Sequence, residues 1–173
     1  MTRSGDTAPT TFIEDVSPFL AACPGPPLAA KGLRIAALQP VDGIPGLCIN
    51  TRNIIGVNPL HKTWGGGRYL RTVIDIAARL NCRPQYLSDT ARRHNYHYSH
   101  ALRWIRFLHL VALKAEGFPT DRTLWPLGFS DPGGVTRFVK ALHGRTLSEL
   151  PPDPLRRWVP RGIVDVFLGG AGS

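Results

Sequence analysis

The chain has little of what disulfide-stabilised, zinc-binding or membrane-spanning proteins rely on. Its 173 residues include only three cysteines, which are far apart and form no Cys-x-x-Cys pair, so the sequence argues against a disulfide framework and a zinc finger. No apolar stretch follows Arg3, as a signal peptide would require, and no apolar run is long enough to cross a bilayer. We therefore expect a cytoplasmic protein that makes no membrane contact.

Sequence patterns of catalysis are also missing. The glycines at 65–67 lack the Lys-Ser/Thr that completes a phosphate-binding loop, and no clear strand precedes them. His94, His97 and His100 are three residues apart, which suggests a metal site, but no cysteine or carboxylate completes the ligand set. Because paired carboxylates and a nucleophile beside a base are missing too, we expect no enzyme activity and no bound metal or cofactor.

Acidic residues are scarce, and the charge is unevenly distributed. The chain has 21 Lys and Arg against 12 Asp and Glu, a net charge of +9. Residues 1–60 hold four of each sign, so the whole excess lies within residues 61–173. A localised basic excess favours a polyanionic partner, with nucleic acid ahead of an anionic membrane. The alternative is a basic protein that binds no polyanion.

The N-terminal part, residues 1–68, divides into two segments. Residues 1–30 are rich in Thr, Ser, Pro and Gly, and we expect them to be flexible, with at most a short helix near 15–22. Residues 31–68 form a small segment of uncertain fold. Its short apolar runs are bounded by proline and glycine and predict β-strands at Leu33–Leu38, Leu47–Ile49 and Ile54–Val57.

From Tyr69 the apolar pattern becomes helical. Apolar side chains recur on one helical face at Leu70, Val73, Ile76, Ala77 and Leu80. Pro84 suits the first position of a second helix that runs to Arg93. Ser99 suits the N-cap of a long third helix that ends near Ala115.

A further helix is predicted at 132–143, after a short turn at 121–126 and before a helix-ending Gly144. The fold is therefore expected to be mainly α, with two helix-turn-helix units joined by a linker helix roughly 25 Å long. A spacer of that length holds two recognition helices about one DNA turn apart, roughly 34 Å. A Pro- and Arg-containing tail follows at 151–173.

Two stretches resemble a known family. Residues 73–88, VIDIAARLNCRPQYLS, are similar to the first helix-turn-helix of AraC/XylS-type transcription regulators. Residues 127–140, LGFSDPGGVTRFVK, with 144–150, GRTLSEL, resemble the second unit of that family and its closing motif. The resemblance covers residues 69–150, whereas residues 1–68 do not look like the sugar-binding cupin domain that usually accompanies such units.

The resemblance implies sequence-specific binding of double-stranded DNA that controls transcription. Carried over by position, the first recognition helix presents Gln85, Ser88, Asp89 and Arg92. The second recognition helix presents Thr136, Arg137 and Lys140. RNA polymerase or another protein is a further partner that the N-terminal segment would contact. The alternative is a protein-interaction module that keeps the helix-turn-helix scaffold with little or no DNA binding.

Several positions depart from the family pattern or leave two interpretations open. Gly133 and Gly134 stand where polar base-reading side chains are common, Asp89 would repel phosphates, and Pro126 shortens or distorts the helix before it. Basic side chains of the two central helices either grip phosphates, which we favour, or form a solvated face: Arg92, Arg93, Arg103 and Arg106. Helical spacing assigns four neighbours to the core: Trp104, Phe107, Leu108 and Val111. The tail arginines either touch DNA or flank a segment that caps the domain: Arg156, Arg157 and Arg161.

Overall fold

The computed structural model describes residues 12–41, 44, 69–119 and 126–169, which form seven α-helices and no strand. The helices are α1 (Phe12–Ala21), α2 (Pro27–Leu38), α3 (Val73–Leu80), α4 (Pro84–Arg93), α5 (Tyr98–Ala115), α6 (Pro132–His143) and α7 (Leu155–Ile163). A 3-10 turn, Leu147–Glu149, precedes α7, and a π turn, Val164–Leu168, follows it. The predicted mainly α class is confirmed. Within these ranges no helix combines the length and apolar character needed to cross a membrane.

The helix boundaries follow from local chemistry. Proline at the first helical position begins α2, α4 and α6, because its fixed φ suits a helix and its missing N–H has no partner there anyway. Thr72 and Asp75 form a reciprocal capping box at the start of α3, and Asn81, at φ +55°, ends that helix. The prediction that Ser99 caps α5 is wrong. The helix begins at the buried Tyr98, and its N-cap, two residues before Ser99, is His97, which makes no side-chain cap bond.

Helix α5 is the centre of the fold. Twelve of its 18 residues are buried, including every residue from Trp104 to Val111, and it contacts α2, α3, α4, α6 and α7. The predicted core positions are confirmed: Trp104, Phe107, Leu108 and Val111 are each at most 9% exposed. At 1.5 Å per residue the helix is about 27 Å long, which lets one element contact the other helices at different heights.

The expectation that residues 1–30 are flexible is wrong for residues 12–30. Val16 and Phe19 of α1 are buried, and α1 packs against α7. The rings of Phe19 and Phe167 are 5.2 Å apart, so the C-terminal π turn helps to cover α1. These contacts favour the interpretation in which residues after 154 cap the core, although Arg156 and Arg157 remain exposed on α7.

The β-strand predicted at Leu33–Leu38 is wrong, because these residues belong to α2. The buried positions Ala29, Leu33, Ala36 and Ala37 follow one helical face, which short apolar runs do not distinguish from a strand. The other two predicted strands, and all but the last residue of the predicted turn at 121–126, lie outside the described residues.

Helix α2 approaches α3 and α5 closely at Gly32. A Cβ at this position would meet the hydroxyl of Tyr98 and lie 2.8 Å from Cγ2 of Ile76. The same Tyr98 hydroxyl donates a 2.7 Å hydrogen bond to the Ala29 carbonyl. The absence of a side chain at residue 32 therefore allows α2 to rest directly on the helices of the predicted DNA-binding part.

A buried histidine makes the second link between the N-terminal helices and α5. His109 is fully buried, its Nε2 lies 2.9 Å from the Ala37 carbonyl and its Nδ1 lies 2.5 Å from the Tyr69 hydroxyl. A neutral ring satisfies both contacts when Nε2 donates to the carbonyl and Nδ1 accepts from the hydroxyl. Phe12 stacks on the ring at 4.8 Å. Burial lowers the pKa of His109 to about 4, because the charged form would lose its hydration.

We predict that Gly32→Ala lowers the free energy of unfolding by about 1–3 kcal/mol, the usual range for overpacking a filled core. The matched control is Gly134→Ala in α6, where the nearest atoms lie 3.7 Å away. There the helix preference of Ala over Gly favours folding by up to about 1 kcal/mol. Urea unfolding of both variants measures the difference. Unchanged stability of Gly32→Ala would show that α2 does not approach α3 and α5 so closely.

We also expect stability to fall as the pH drops below about 6.5. The imidazole titrates near 6.5 in the unfolded chain and at about 4 when His109 is buried, so protons between these values bind the unfolded state preferentially. The slope reaches about 1.4 kcal/mol per pH unit and disappears above pH 6.5. Urea unfolding at several pH values tests this, and His109→Gln is the control. An equal slope in both proteins would contradict the assignment.

Candidate nucleic-acid interface

Helix α4 presents the first group of predicted DNA-contacting side chains. Its inner face is fixed by Leu87, Thr90 and Ala91, which are all buried. The opposite face of α4 carries the predicted DNA-contacting side chains. Gln85, Arg92 and Arg93 are exposed, whereas Ser88 and Asp89 are half-buried. The helix thus has an apolar side that packs on α3 and α5 and a polar side that is free to meet a partner.

The unexpected acid on this helix is held by its own neighbours. Gln85 Nε2 donates a 3.0 Å hydrogen bond to Asp89 Oδ1, and Arg92 Nη2 donates to the same oxygen. The ion pair is solvent-exposed, with side-chain exposures of 59% for Arg92 and 38% for Asp89, so it contributes little stability. Its effect is on geometry, because Asp89 restrains two side chains that the sequence assigned to base reading.

Helix α6 presents the second group. Val135 and Val139 are buried, and Thr136, Arg137 and Lys140 are exposed on the other side of the helix. Thr136 Oγ1 donates to the Pro132 carbonyl at 3.3 Å, within the helix. Both basic side chains of α6 therefore face solvent, while its apolar side faces the core.

The start of α6 differs from an open anion site. Asp131 is the N-cap, and its Oδ1 accepts a 2.7 Å hydrogen bond from the Gly134 N–H. Arg137 Nη2 lies 3.7 Å from the same carboxylate oxygen. A phosphate at this helix end would meet a carboxylate already in place, so Arg137 and Lys140 are the groups on α6 that remain suited to anions. Asp131 was not among the residues expected from the sequence, although its position before a proline and two glycines is typical of an N-cap.

The two phosphate contacts predicted on α5, Arg103 and Arg106, differ in their exposure. Arg103 is exposed, so it is available to a partner. The prediction for Arg106 is wrong, because the residue is only 8% exposed. Its Nε donates a 2.9 Å hydrogen bond to the Leu127 carbonyl, and the guanidinium carbon lies 3.6 Å from the centre of the Phe129 ring. Burial lowers the pKa of Arg106 to about 10, which still leaves it protonated at neutral pH.

Three exposed side chains near α4 were not singled out from the sequence. Ile74 on α3 is 68% exposed and Tyr86 on α4 is 41% exposed, and Arg83 is exposed at the N-cap of α4. The helical phase predicts the exposure of the two apolar residues. Tyr86 immediately precedes the buried Leu87 and Ile74 lies two positions before the buried Ile76, so neither falls on the buried face of its helix. These residues add apolar and basic groups to the exposed surfaces of α3 and α4.

No metal-binding group of three or more His, Cys, Asp or Glu side chains occurs in the described part of the chain. Of the three spaced histidines, His100 is paired with Asp165, with Nε2 and Oδ2 2.8 Å apart. The same carboxylate oxygen accepts a 2.7 Å hydrogen bond from Trp104 Nε1. This cluster ties the π turn after α7 to α5.

Comparison of the chain with models of protein families, with curated proteins and with solved structures finds no significant match. The geometry described above defines the candidate interface as two solvent-facing polar surfaces, on α4 and on α6. Both helices pack on α5.

Proposed function

We propose that the protein binds double-stranded DNA in a sequence-specific manner and regulates transcription. In this proposal α3 and α4 form the first helix-turn-helix unit, α6 is the second recognition helix, and α5 joins the two. The observation that carries the proposal is the shared pattern of α4 and α6. Each buries an apolar side and turns polar and basic side chains toward solvent, and each packs on the same central helix. A helix that enters the major groove requires this division of its surface.

Charge supports the same proposal. The chain carries +9 in total, and all of the excess lies in residues 61–173. Four solvent-exposed bases on the helices concerned are suited to phosphates: Arg93, Arg103, Arg137 and Lys140. Neutralising phosphates releases counterions from the duplex, which supplies affinity without reference to sequence.

The two recognition helices are expected to differ in how they use this surface. Gln85 and Arg92 on α4 are the side-chain types that read adenine and guanine edges in the major groove, and Asp89 holds both before DNA arrives. On α6 the glycines at 133 and 134 provide no side chain, so Arg137 and Lys140 supply charge. We therefore infer that α4 carries most of the base preference and α6 mainly grips the backbone.

A protein-interaction module on the same scaffold is the second candidate. The exposed Ile74 and Tyr86 favour it, because apolar side chains beside polar ones are typical of protein contacts. In that case the N-terminal helices would support the interaction surface, because they belong to the same core as α5. Salt distinguishes the two candidates, since an apolar protein contact depends on salt far less than a contact with many phosphates.

We predict that duplex binding weakens steeply with salt. If about six to eight phosphates are neutralised, log K falls against log salt concentration with a slope near −6. Gel shifts or fluorescence anisotropy between about 50 and about 200 mM salt measure it on a site selected from random duplex DNA. A slope near zero, or no binding at low salt, would contradict the DNA proposal and favour a protein partner.

Substitutions on the two helices should produce different phenotypes. We expect Gln85→Ala to relax preference at particular base positions, each good contact contributing about 1–3 kcal/mol of discrimination. Lys140→Ala should weaken binding to all sequences alike and make the salt slope shallower by about one. The matched control is Lys31→Ala, which removes an exposed lysine on α2 and should change neither. Binding to a panel of single-base variants is the measurement, and exchanged phenotypes would reverse the assignment of α4 and α6.

A further inference from the structure

A buried guanidinium joins α5 to the turn that leads into α6. Arg106 is 8% exposed, and its Nε donates a 2.9 Å hydrogen bond to the Leu127 carbonyl. Its guanidinium carbon lies 3.6 Å from the centre of the Phe129 ring, close enough for a cation–π contact. One side chain of α5 therefore contacts both ends of the 127–129 turn.

The turn fits tightly against this side chain. Gly128 has φ +80°, and a Cβ there would lie 3.3 Å from Cβ of Tyr69 and 3.6 Å from Nη2 of Arg106. Positive φ and close approach both favour glycine at this position. Leu127 and Phe129 on either side are buried, so the turn is fixed from the inside by Arg106 and Tyr69.

The contacts continue from the turn into α6. The rings of Phe129 and Phe138 are 5.3 Å apart, and the Arg106 guanidinium carbon lies 5.2 Å from the centre of the Phe138 ring. Phe138 belongs to α6, between the exposed Arg137 and the buried Val139. Arg106 thus contacts both the segment that directs the chain into α6 and the helix itself.

Stability alone does not account for an arginine at this position. Its Nη2 is buried without a hydrogen-bond partner among the described residues, and an incompletely satisfied buried cation is no more stabilising than an apolar side chain of similar volume. What an apolar side chain lacks is a directional donor to the Leu127 carbonyl and a flat cation over Phe129. These two contacts specify a geometry as well as filling space.

We propose that Arg106 is the positioning residue of α6: it fixes the 127–129 turn on α5 and so sets the direction in which α6 presents Arg137 and Lys140. The inference rests on the proposed function for its effect on DNA, whereas the fixing of the turn is a property of the free protein. The two parts are therefore tested separately.

The first experiment uses the full chain without DNA. Amide hydrogen exchange compares the wild type with Arg106→Met, which keeps the length and apolar contact, and with Arg106→Lys, which keeps the charge and one donor. We expect Arg106→Met to lose about tenfold protection in the 127–129 turn and the first turn of α6, with α3 and α4 unchanged and the thermal midpoint lowered by only about 2–4 °C. Arg106→Lys should restore part of the protection, because its ammonium donates to Leu127 but does not stack.

The second experiment couples this variant to the recognition helices. Affinity for a selected duplex is measured for Arg106→Met alone and combined with Lys140→Ala or Gln85→Ala. The factor by which Lys140→Ala lowers the affinity should be at least about threefold smaller in the Arg106→Met background than in the wild type. The reason is that both substitutions act through the same segment. The loss caused by Gln85→Ala on α4 should be unchanged.

The outcomes separate the two ideas. Unchanged exchange in the turn, or equal coupling of Arg106 to both helices, would overturn the positioning role. If Arg106→Met does not fold, Arg106→Lys supports the proposal when loss of protection is confined to the turn and α6, and overturns it when the loss is spread over all helices. Failure of the wild type to bind any duplex at low salt would refute the proposed function, while the exchange experiment still decides whether Arg106 fixes the turn.

Discussion

Helix α5 carries apolar side chains around almost its whole circumference, and such a helix is stable in water only when other elements cover it on every side. Its buried run from Trp104 to Val111 faces neighbours from both halves of the chain. Helices α2, α3, α4, α6 and α7 and the π turn all contact it. The need to cover α5 explains why residues outside 69–150 belong to the same core.

The polar side chains of α5 give this apolar packing its register. Tyr98 donates to a carbonyl of α2, His109 contacts a carbonyl of the same helix, Arg106 donates to the turn before α6, and Trp104 donates to Asp165 of the π turn. Apolar surfaces tolerate small slips, whereas a buried donor that loses its acceptor costs about 1–3 kcal/mol. Helix α2, the 127–129 turn and the π turn are therefore each held at one height along α5 by a specific hydrogen bond.

Local periodicity predicted α3 to α6 because each repeats apolar residues at helical spacing, although the start signal expected for α5 at Ser99 was wrong. It failed for Leu33–Leu38, where a short run of leucine, isoleucine and alanine suits a strand or a helix equally, and the choice depends on contacts with α3 and α5. Local periodicity also failed for Arg106, because none of the residues near it in the sequence indicates that the side chain is covered. The cover comes from Leu127 and Phe129, about 20 residues further on, which no local window contains.

The candidate interface was predictable to the extent that it consists of whole helix faces. The outward positions of Gln85, Arg92, Thr136, Arg137 and Lys140 follow from the phase of α4 and α6 alone. The pairing of Asp89 with its two neighbours depends on rotamers, and the capping of α6 by Asp131 depends on where the helix begins. Both adjust which groups remain for a partner, and neither changes which helices present them.

The packing of α1 against α7 has a consequence for how the protein is made. Helix α7 begins about 130 residues after α1 ends, so the side of α1 that contains Phe19 finds its cover only after α7 has left the ribosome. Until then the nascent chain has an uncovered apolar surface, the state in which chains associate wrongly and chaperones bind. Synthesis from the N-terminus thus delivers α2 to α6 before α7, and the α1 side of the core is completed after the helices between them.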